Sequence, residues 1–302
     1  MNGSTYNQLI VFHAIVAEGS INGAARKLEI APPSVSNSLK GLEKTVGLPL
    51  FTRTTRRIEL TEAGHMLCEE TAPAMQSLSY ALETVQDLCE VPRGKVRLTL
   101  PRFVYQLFLK PIFAEFCALY PKIELEVSIS DEAVDIIKQG FDLGIRLGDR
   151  IEEGMVATLL TPPMKEALFA SPDYIRQKGM PKTLGELKEH KLIQYRFIGS
   201  KQLAVLELMG GKQKVAVEMP TALIVNDTDM MLDAAKEGVG IGRILEPIVA
   251  ADLRAQNVLP ILQDKWLDYP GLYAYFPQNS QKARRIRVLI DFLKEKSILF
   301  WA

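Results

Sequence analysis

The 302-residue sequence predicts a multidomain chain: a small helical N-terminal domain, one long helix, and a larger domain of alternating strands and helices. Three observations carry that prediction. Two short amphipathic helices joined by a tight turn precede a basic hairpin. A heptad of apolar residues then runs from Leu67 to Leu88. Beyond Val91-Pro92-Arg93-Gly94 the apolar spacing switches repeatedly between two and three-to-four, the signature of mixed α/β structure.

Residues 7–18 place Leu9, Phe12 and Val16 at helical spacing, and Gly19 ends that helix. Ser20 is a good N-cap for the next, whose apolar face is Ala24, Ala25 and Leu28. Glu29-Ile30-Ala31 is the turn. Pro32 then sits at the first position of a new helix, where its missing N–H costs nothing. Val35, Leu39, Leu42 and Val46 form the expected buried stripe of this third helix, and Gly47-Leu48-Pro49 breaks it. Its other side carries Ser34, Asn37, Ser38 and Gly41, flanked by Ser36 and Lys40. A small polar face behind an apolar stripe suits a helix laid in the major groove, where hydrogen-bonding side chains read base edges. Residues 52–60 read as two short strands around Thr54-Thr55-Arg56, with Arg53, Arg56 and Arg57 projecting. A basic hairpin beside such a helix is the wing of a winged helix-turn-helix, placed to clamp phosphates or enter the minor groove.

Thr61 caps the long helix. Leu67, Thr71, Ala74, Leu78, Ala81, Val85 and Leu88 alternate in steps of four and three, and Cys68, Met75, Leu82 and Cys89 widen the stripe. Such a seam needs a partner helix, and a second copy of the chain supplies one. Pro73 predicts a bend near Glu69–Pro73. Past the hinge, strands are expected over 95–100, 123–130, 141–147, 165–171, 192–196, 241–244, 258–260 and 271–276. Helices are expected over 107–120, 132–139, 172–178, 184–190, 228–237, 246–255 and 282–296, giving a parallel, doubly wound arrangement.

Composition excludes several classes. Hydrophobic content of 47% and charged content of 24% are ordinary for a globular protein, and the formal net charge is zero. Residues 1–66 hold seven Lys/Arg against five Asp/Glu, a small basic excess. Three cysteines make no disulfide framework, and three scattered histidines make no metal site, so neither metal nor cofactor is expected. With no leader or membrane span read from the pattern, a cytoplasmic protein is expected. The glycines of Gly238-Val239-Gly240-Ile241-Gly242 follow a helix and precede a strand, the reverse of a dinucleotide fingerprint. No catalytic constellation assembles, so the chain is read as no enzyme.

Ala24-Ala25-Arg26-Lys27-Leu28, Val35-Ser36, Leu42-Glu43, Gly47-Leu48-Pro49-Leu50-Phe51-Thr52-Arg53 and Leu60-Thr61-Glu62-Ala63-Gly64 resemble the N-terminal signature of LysR-type transcriptional regulators. Phe141-Asp142-Leu143-Gly144-Ile145-Arg146-Leu147-Gly148, and Asn226-Asp227 before the glycine run, are similar to that family's effector domain. The resemblance implies a winged helix-turn-helix domain over 1–66 and a dimerising linker helix over 61–90. It implies a two-lobed α/β effector domain of periplasmic-binding-protein type 2 over 91–302. Lobe I would take residues 92–161 and 269–302, lobe II residues 162–268, with crossings near Leu160-Thr161-Pro162 and between Trp266 and Pro270. It implies a homodimer through the linker helix, commonly a homotetramer, acting on double-stranded promoter DNA, with RNA polymerase as a further partner and no membrane.

Carried over by position, the DNA contacts fall on Pro32, Pro33, Ser36 and Asn37, with the wing on Arg53 and Arg56. Ser34, Ser38 and Lys40 join them from the helix face. The family usually has Ser, Gln and Pro where this chain has Ala31, Pro32 and Pro33, and Asn37 replaces a frequent arginine. Ala31 forgoes an N-cap bond worth about 1 kcal/mol, and asparagine pairs with adenine where arginine prefers guanine. An altered operator preference is expected. The effector pocket is expected at the C-terminal ends of strands. That places it at Pro101, Arg102 and Phe103, at Ser128 and Ser130, at Arg146 and Gly148, at Tyr195 and Arg196, and at Asn226, Asp227 and Thr228. Arginines and a helix start favour a small anionic effector such as a carboxylate; for Arg146 an ion pair within the lobe is the competing reading. A solute-binding protein, or an enzyme with an accessory helical domain, is the alternative function.

Overall fold

The computed structural model describes residues 3–53, 58–86, 91–132, 134–151, 155–278, 280 and 283–301. It divides into two compact units, Met1–Leu88 and Cys89–Ala302.

In the first unit α1 (Gly3–Glu18) is closed by Gly19 at φ 62°. Ser20 caps α2 (Ile21–Lys27), its Oγ accepting from the Gly23 N–H at 3.0 Å. The turn that follows is a Schellman closure: the Ile30 N–H reaches the Ala25 carbonyl and the Glu29 N–H that of Arg26. Glu29 occupies the left-handed position at φ 54°, where glycine is the usual residue. α3 (Pro32–Val46) starts on Pro32 with no side-chain cap from Ala31, and Gly47 at φ 79° ends it. Val35, Leu39 and Leu42 are sealed in a core with Phe12, Ile15, Ala24, Leu50 and Phe51. Val46 corrects the expected stripe: it is 40% exposed, because the last turn of α3 runs past the core before Gly47 reverses the chain.

β1 (Phe51–Arg53) and β2 (Ile58–Leu60) pair antiparallel, Phe51 opposite Leu60. The connecting turn, Arg56 included, lies outside the described residues. α4 (Glu62–Gln86) is capped by Thr61, whose Oγ1 accepts from the Gly64 N–H and donates to the Pro49 carbonyl. A Cβ at Gly64 would collide with the Leu50 carbonyl oxygen, so the helix start presses directly on the entry to the wing. The helix runs on through Pro73. Its heptad seam divides. Leu67, Cys68 and Met75 pack on the core of their own unit, whereas Leu78, Leu82 and Val85 are open to solvent.

The second unit opens with β3 (Gly94–Leu100), α5 (Arg102–Val104), a wide π-type turn over Tyr105–Leu109, α6 (Phe113–Leu119), β4 (Ile123–Ile129), β5 (Leu143–Leu147) and β6 (Met155–Leu159). There follow β7 (Met164–Ala170), α7 (Pro172–Lys178), a single 3₁₀ turn (Glu186–Glu189), β8 (Leu192–Tyr195), the hairpin of β9 (Glu207–Gly210) and β10 (Gln213–Ala216), and β11 (Thr221–Val225). α8 (Thr228–Lys236), β12 (Gly242–Leu245), α9 (Glu246–Arg254), β13 (Leu259–Pro260), β14 (Asp268–Tyr269), β15 (Leu272–Pro277) and α10 (Arg284–Trp301) complete it.

One sheet has the order β4-β3-β5-β15-β6. The second is built on β7, flanked by β12 and β13 with β14 also on β7, and β8–β11 joins it through a bridge from Leu192 to Ile241. The chain leaves the first sheet after β6 and re-enters it at β15. The two passages run against each other: the Thr161 Oγ1 accepts from the Leu272 N–H at 2.9 Å, the Leu160 N–H reaches the Leu272 carbonyl, and a Cβ on Gly271 would strike the Thr161 backbone.

Four expectations are corrected here. The helix over 107–120 is broken: it begins at Arg102, widens into a π turn closed by the Lys110 N–H on the Tyr105 carbonyl, and restarts after Pro111, which has no N–H to give. The helix over 132–139 is not formed by the described residues: residues 136–140 are turns, because Asp135 Oδ1 takes the N–H groups of Ile137 and Lys138, offering the backbone a local alternative to helix. The helix over 184–190 is one 3₁₀ turn, the Thr183 and Glu186 side chains bonding one another there. The sheets are mixed: β3 is parallel to β4 and β5, but β15 runs antiparallel to β5 and β6 because it returns from the other sheet.

Candidate functional site

The first unit presents a polar helix face held from behind. Pro32, Pro33, Ser34, Asn37 and Lys40 are exposed and Ser36 and Ser38 half-buried; Pro33, Ser34, Asn37 and Lys40 face away from Val35, Leu39 and Leu42, and Pro32, Ser36 and Ser38 flank that stripe. The side chains of Ser34, Ser36, Asn37, Ser38 and Lys40 make no hydrogen bond to any described residue, so their donors and acceptors remain available. Glu43, also on α3, accepts from the Leu50 N–H at 2.9 Å and fixes where the wing leaves the helix. Arg53 ends β1; its side chain, like Arg56, lies outside the described residues.

α1 is tied to α4 through His13. The Thr71 hydroxyl donates to the Leu67 carbonyl at 2.6 Å, so at 2.8 Å it accepts from His13 Nε2. Burial holds the His13 pKa below its ordinary value.

In the second unit the strand ends bring five of the relevant side chains together. Pro101 is buried at the end of β3, and the next residue, Arg102, reaches across to the start of α8. Its Nε lies 2.8 Å from Asp229 Oδ2 and 3.5 Å from Asp227 Oδ2, while its backbone N–H donates to Asp131 Oδ1 at 3.0 Å. Asp227 also caps α8, accepting from the Met230 N–H at 2.8 Å. Tyr195, half-buried at the end of β8, has its pKa pushed up to about 12, first by burial and then by the carboxylates of Asp131 and Asp227. Phe103, Ser128, Asn226 and Thr228 lie on the same strand and helix ends. Asp131 and Asp229 were not singled out from sequence; Asp229, in the first turn of a capped helix, carried the better signal.

The other named residues are engaged elsewhere. Arg146 is buried, its guanidinium donating to the carbonyls of Ile145, Ser130 and Glu132 and to Thr99 Oγ1. Burial presses its pKa down. No carboxylate among the described residues pairs with it, so the competing ion-pair reading is corrected to a carbonyl-bound guanidinium that ties the ends of β3, β4 and β5 together. Ser130 serves that bond and accepts from the Glu132 N–H through its Oγ. Arg196 turns back to the Lys201 carbonyl at 2.7 Å. Gly148 lies against Tyr273, whose ring would meet a Cβ there at 2.7 Å. Among the described residues no group of His, Cys, Asp and Glu is arranged to hold a metal ion, and no helix is long and apolar enough to cross a membrane.

A winged helix-turn-helix unit joined to a two-lobed α/β unit with polar groups converging between its sheets defines a ligand-responsive DNA-binding regulator. The match to known families is specific. Residues 6–65 match the bacterial regulatory helix-turn-helix model of the lysR family, and residues 90–297 match the LysR substrate-binding domain. The chain therefore belongs to the LysR-type transcriptional regulators, a family that binds promoter DNA and small-molecule effectors and forms oligomers. It is 28% identical over 288 residues to the HTH-type transcriptional regulator PgrR of Escherichia coli, spanning 95% of this chain and 96% of that protein. A putative transcriptional regulator of Pseudomonas aeruginosa is 30% identical, over 95% of this chain and 94% of its own. The structure of CrgA from Neisseria meningitidis superposes with a TM-score of 0.62 at 24% identity, covering 98% of this chain and 99% of CrgA. The relatives are named as regulators, not enzymes.

Proposed function

We propose that this chain reads promoter DNA through Pro32, Pro33, Ser34, Ser36, Asn37, Ser38 and Lys40 in the major groove, with Arg53 and Arg56 of the wing on the backbone or in the minor groove. The observation that carries the reading is the side chains of α3 left without partners over a fully buried apolar stripe. The exposed Leu78, Leu82 and Val85 of α4 are the seam for a second copy, and two such dimers make a tetramer. The effector is a small anion taken up between the two sheets of the second unit, with Arg102 its principal contact and Tyr195, Asn226 and Thr228 around it. The protein works in the cytoplasm, with RNA polymerase as a further partner.

Gel retardation of the DNA upstream of its own gene tests the first part. Retention that weakens steeply as salt rises from 50 to 200 mM supports phosphate and groove contacts. Salt-insensitive behaviour or no retention contradicts them. For the effector, small organic acids are expected to raise the melting temperature of the wild type and not of Arg102→Ala.

A further inference from the structure

Arg102 stands on the sheet that contains β3, whereas Asp227 and Asp229 stand on α8, beside the sheet built on β7; 127 residues separate Arg102 from Asp229. The contact therefore spans the space between the two sheets. It is anchored at both ends. On one side the Asp131 carboxylate holds the backbone N–H of Arg102, which fixes the base of the side chain. On the other, Asp227 is locked by capping α8 through Oδ1, and Oδ2 faces the guanidinium. One cation thus faces three carboxylates, with the Tyr195 ring beside two of them. Remove the cation, and Asp131 is left opposite Asp227 and Asp229 as like charges across the cleft.

We propose that Arg102, Asp227 and Asp229 form a cross-cleft clasp that holds the effector unit closed at rest, so that an effector acts by taking Arg102 away from Asp229. This deepens the effector reading above and rests on it for the second clause. The clasp is solvent-exposed at both ends, with Arg102 46% and Asp229 41% accessible, so it is weak and screened by salt. That suits a switch: a ligand shifts an equilibrium only by its differential affinity for the two states, and a strong lock would need a correspondingly large difference.

The test uses the full chain and needs no effector. Amide exchange is followed in two places, over Val104–Gln106 beside Arg102 and over Met230–Leu232 in α8. Arg102→Gln and Asp229→Asn should each speed exchange at both places by roughly two- to five-fold, the size of effect an exposed pair commands. Arg102→Gln should do more, because it leaves three carboxylates unbalanced. Sodium chloride at 1 M should move the wild type toward the variants and leave Arg102→Gln where it is. Faster exchange confined to the mutated segment, or none in either variant, would overturn the clasp.

A second readout separates this proposal from the one it rests on. Both variants should change affinity for the upstream DNA, or the footprint on it, at least threefold without any added small molecule. Unchanged DNA binding by folded variants sinks the clasp alone. If the wild type binds no DNA, the regulator reading fails, and the exchange measurement still decides the clasp.

Discussion

The outward face of α3 and the cleft of the second unit are both lined with polar side chains, but their hydrogen bonds go to different places. On α3 the side chains of Ser34, Asn37 and Lys40 have no partner among the described residues. In the cleft Arg102 already holds Asp229 and Asp227, Arg146 is taken up by carbonyls, and Arg196 by its own loop. A rigid helix with idle donors is ready to dock on a surface that is itself rigid. A cleft whose charges are satisfied internally must exchange partners to bind anything. The first arrangement suits recognition of DNA, the second a response to a ligand.

The contrast can be broken first at the back of α3. Leu39→Ala should cost about 2–5 kcal/mol of stability, as burial this complete implies, and lower the melting temperature of the first unit. Asn37→Ala should leave melting unchanged and weaken DNA binding about tenfold, the scale of one base contact. If Asn37→Ala melts early, the face is structural.

In the second unit the two arginines should separate in the same way. Arg146→Met leaves the carbonyls of Ser130 and Glu132 without their donor and should cost about 2 kcal/mol in a denaturant titration. Arg102→Ala should leave the denaturation midpoint in place and act on ligand response and DNA binding only. A shared loss of stability would erase the distinction between scaffold and switch.

A smaller effect sharpens the account of the first unit. The His13 pKa is lower in the folded state than its ordinary value of about 6.5. The unfolded chain therefore binds the extra proton first. The stability from neutral His13 is complete above that value and is lost as pH falls below it toward the folded pKa. The melting advantage of the wild type over His13→Asn should shrink between pH 7 and 5.5; a constant difference would show that burial does not disfavour the charged ring.

What the sequence made legible follows the range of the interactions. Ser20, Pro32, Gly47 and Thr61 act within one turn of themselves, and each ends or begins a helix where its chemistry places it. The stripe of α3 was readable except for Val46, since periodicity cannot say where a core ends. In the second unit the partners are remote. Nothing near Arg102 announces Asp229, nothing in the apolar pattern of β15 gives its direction, and only Asp135 itself, by capping its own neighbours, explains why the segment after β4 is not helical. The residues named for the cleft from strand ends were therefore a mixture: some face one another, and others are engaged elsewhere in the unit.

The account stands or falls on α3 as the reader of DNA, and selecting bound sequences from a random duplex pool with the wild type and with Asn37→Arg tests it most directly. The wild type should enrich a motif with adenine at one position of each half-site, and the variant should shift that position toward guanine while the rest of the motif stays. Identical motifs from both proteins would contradict the placement of this helix in the groove.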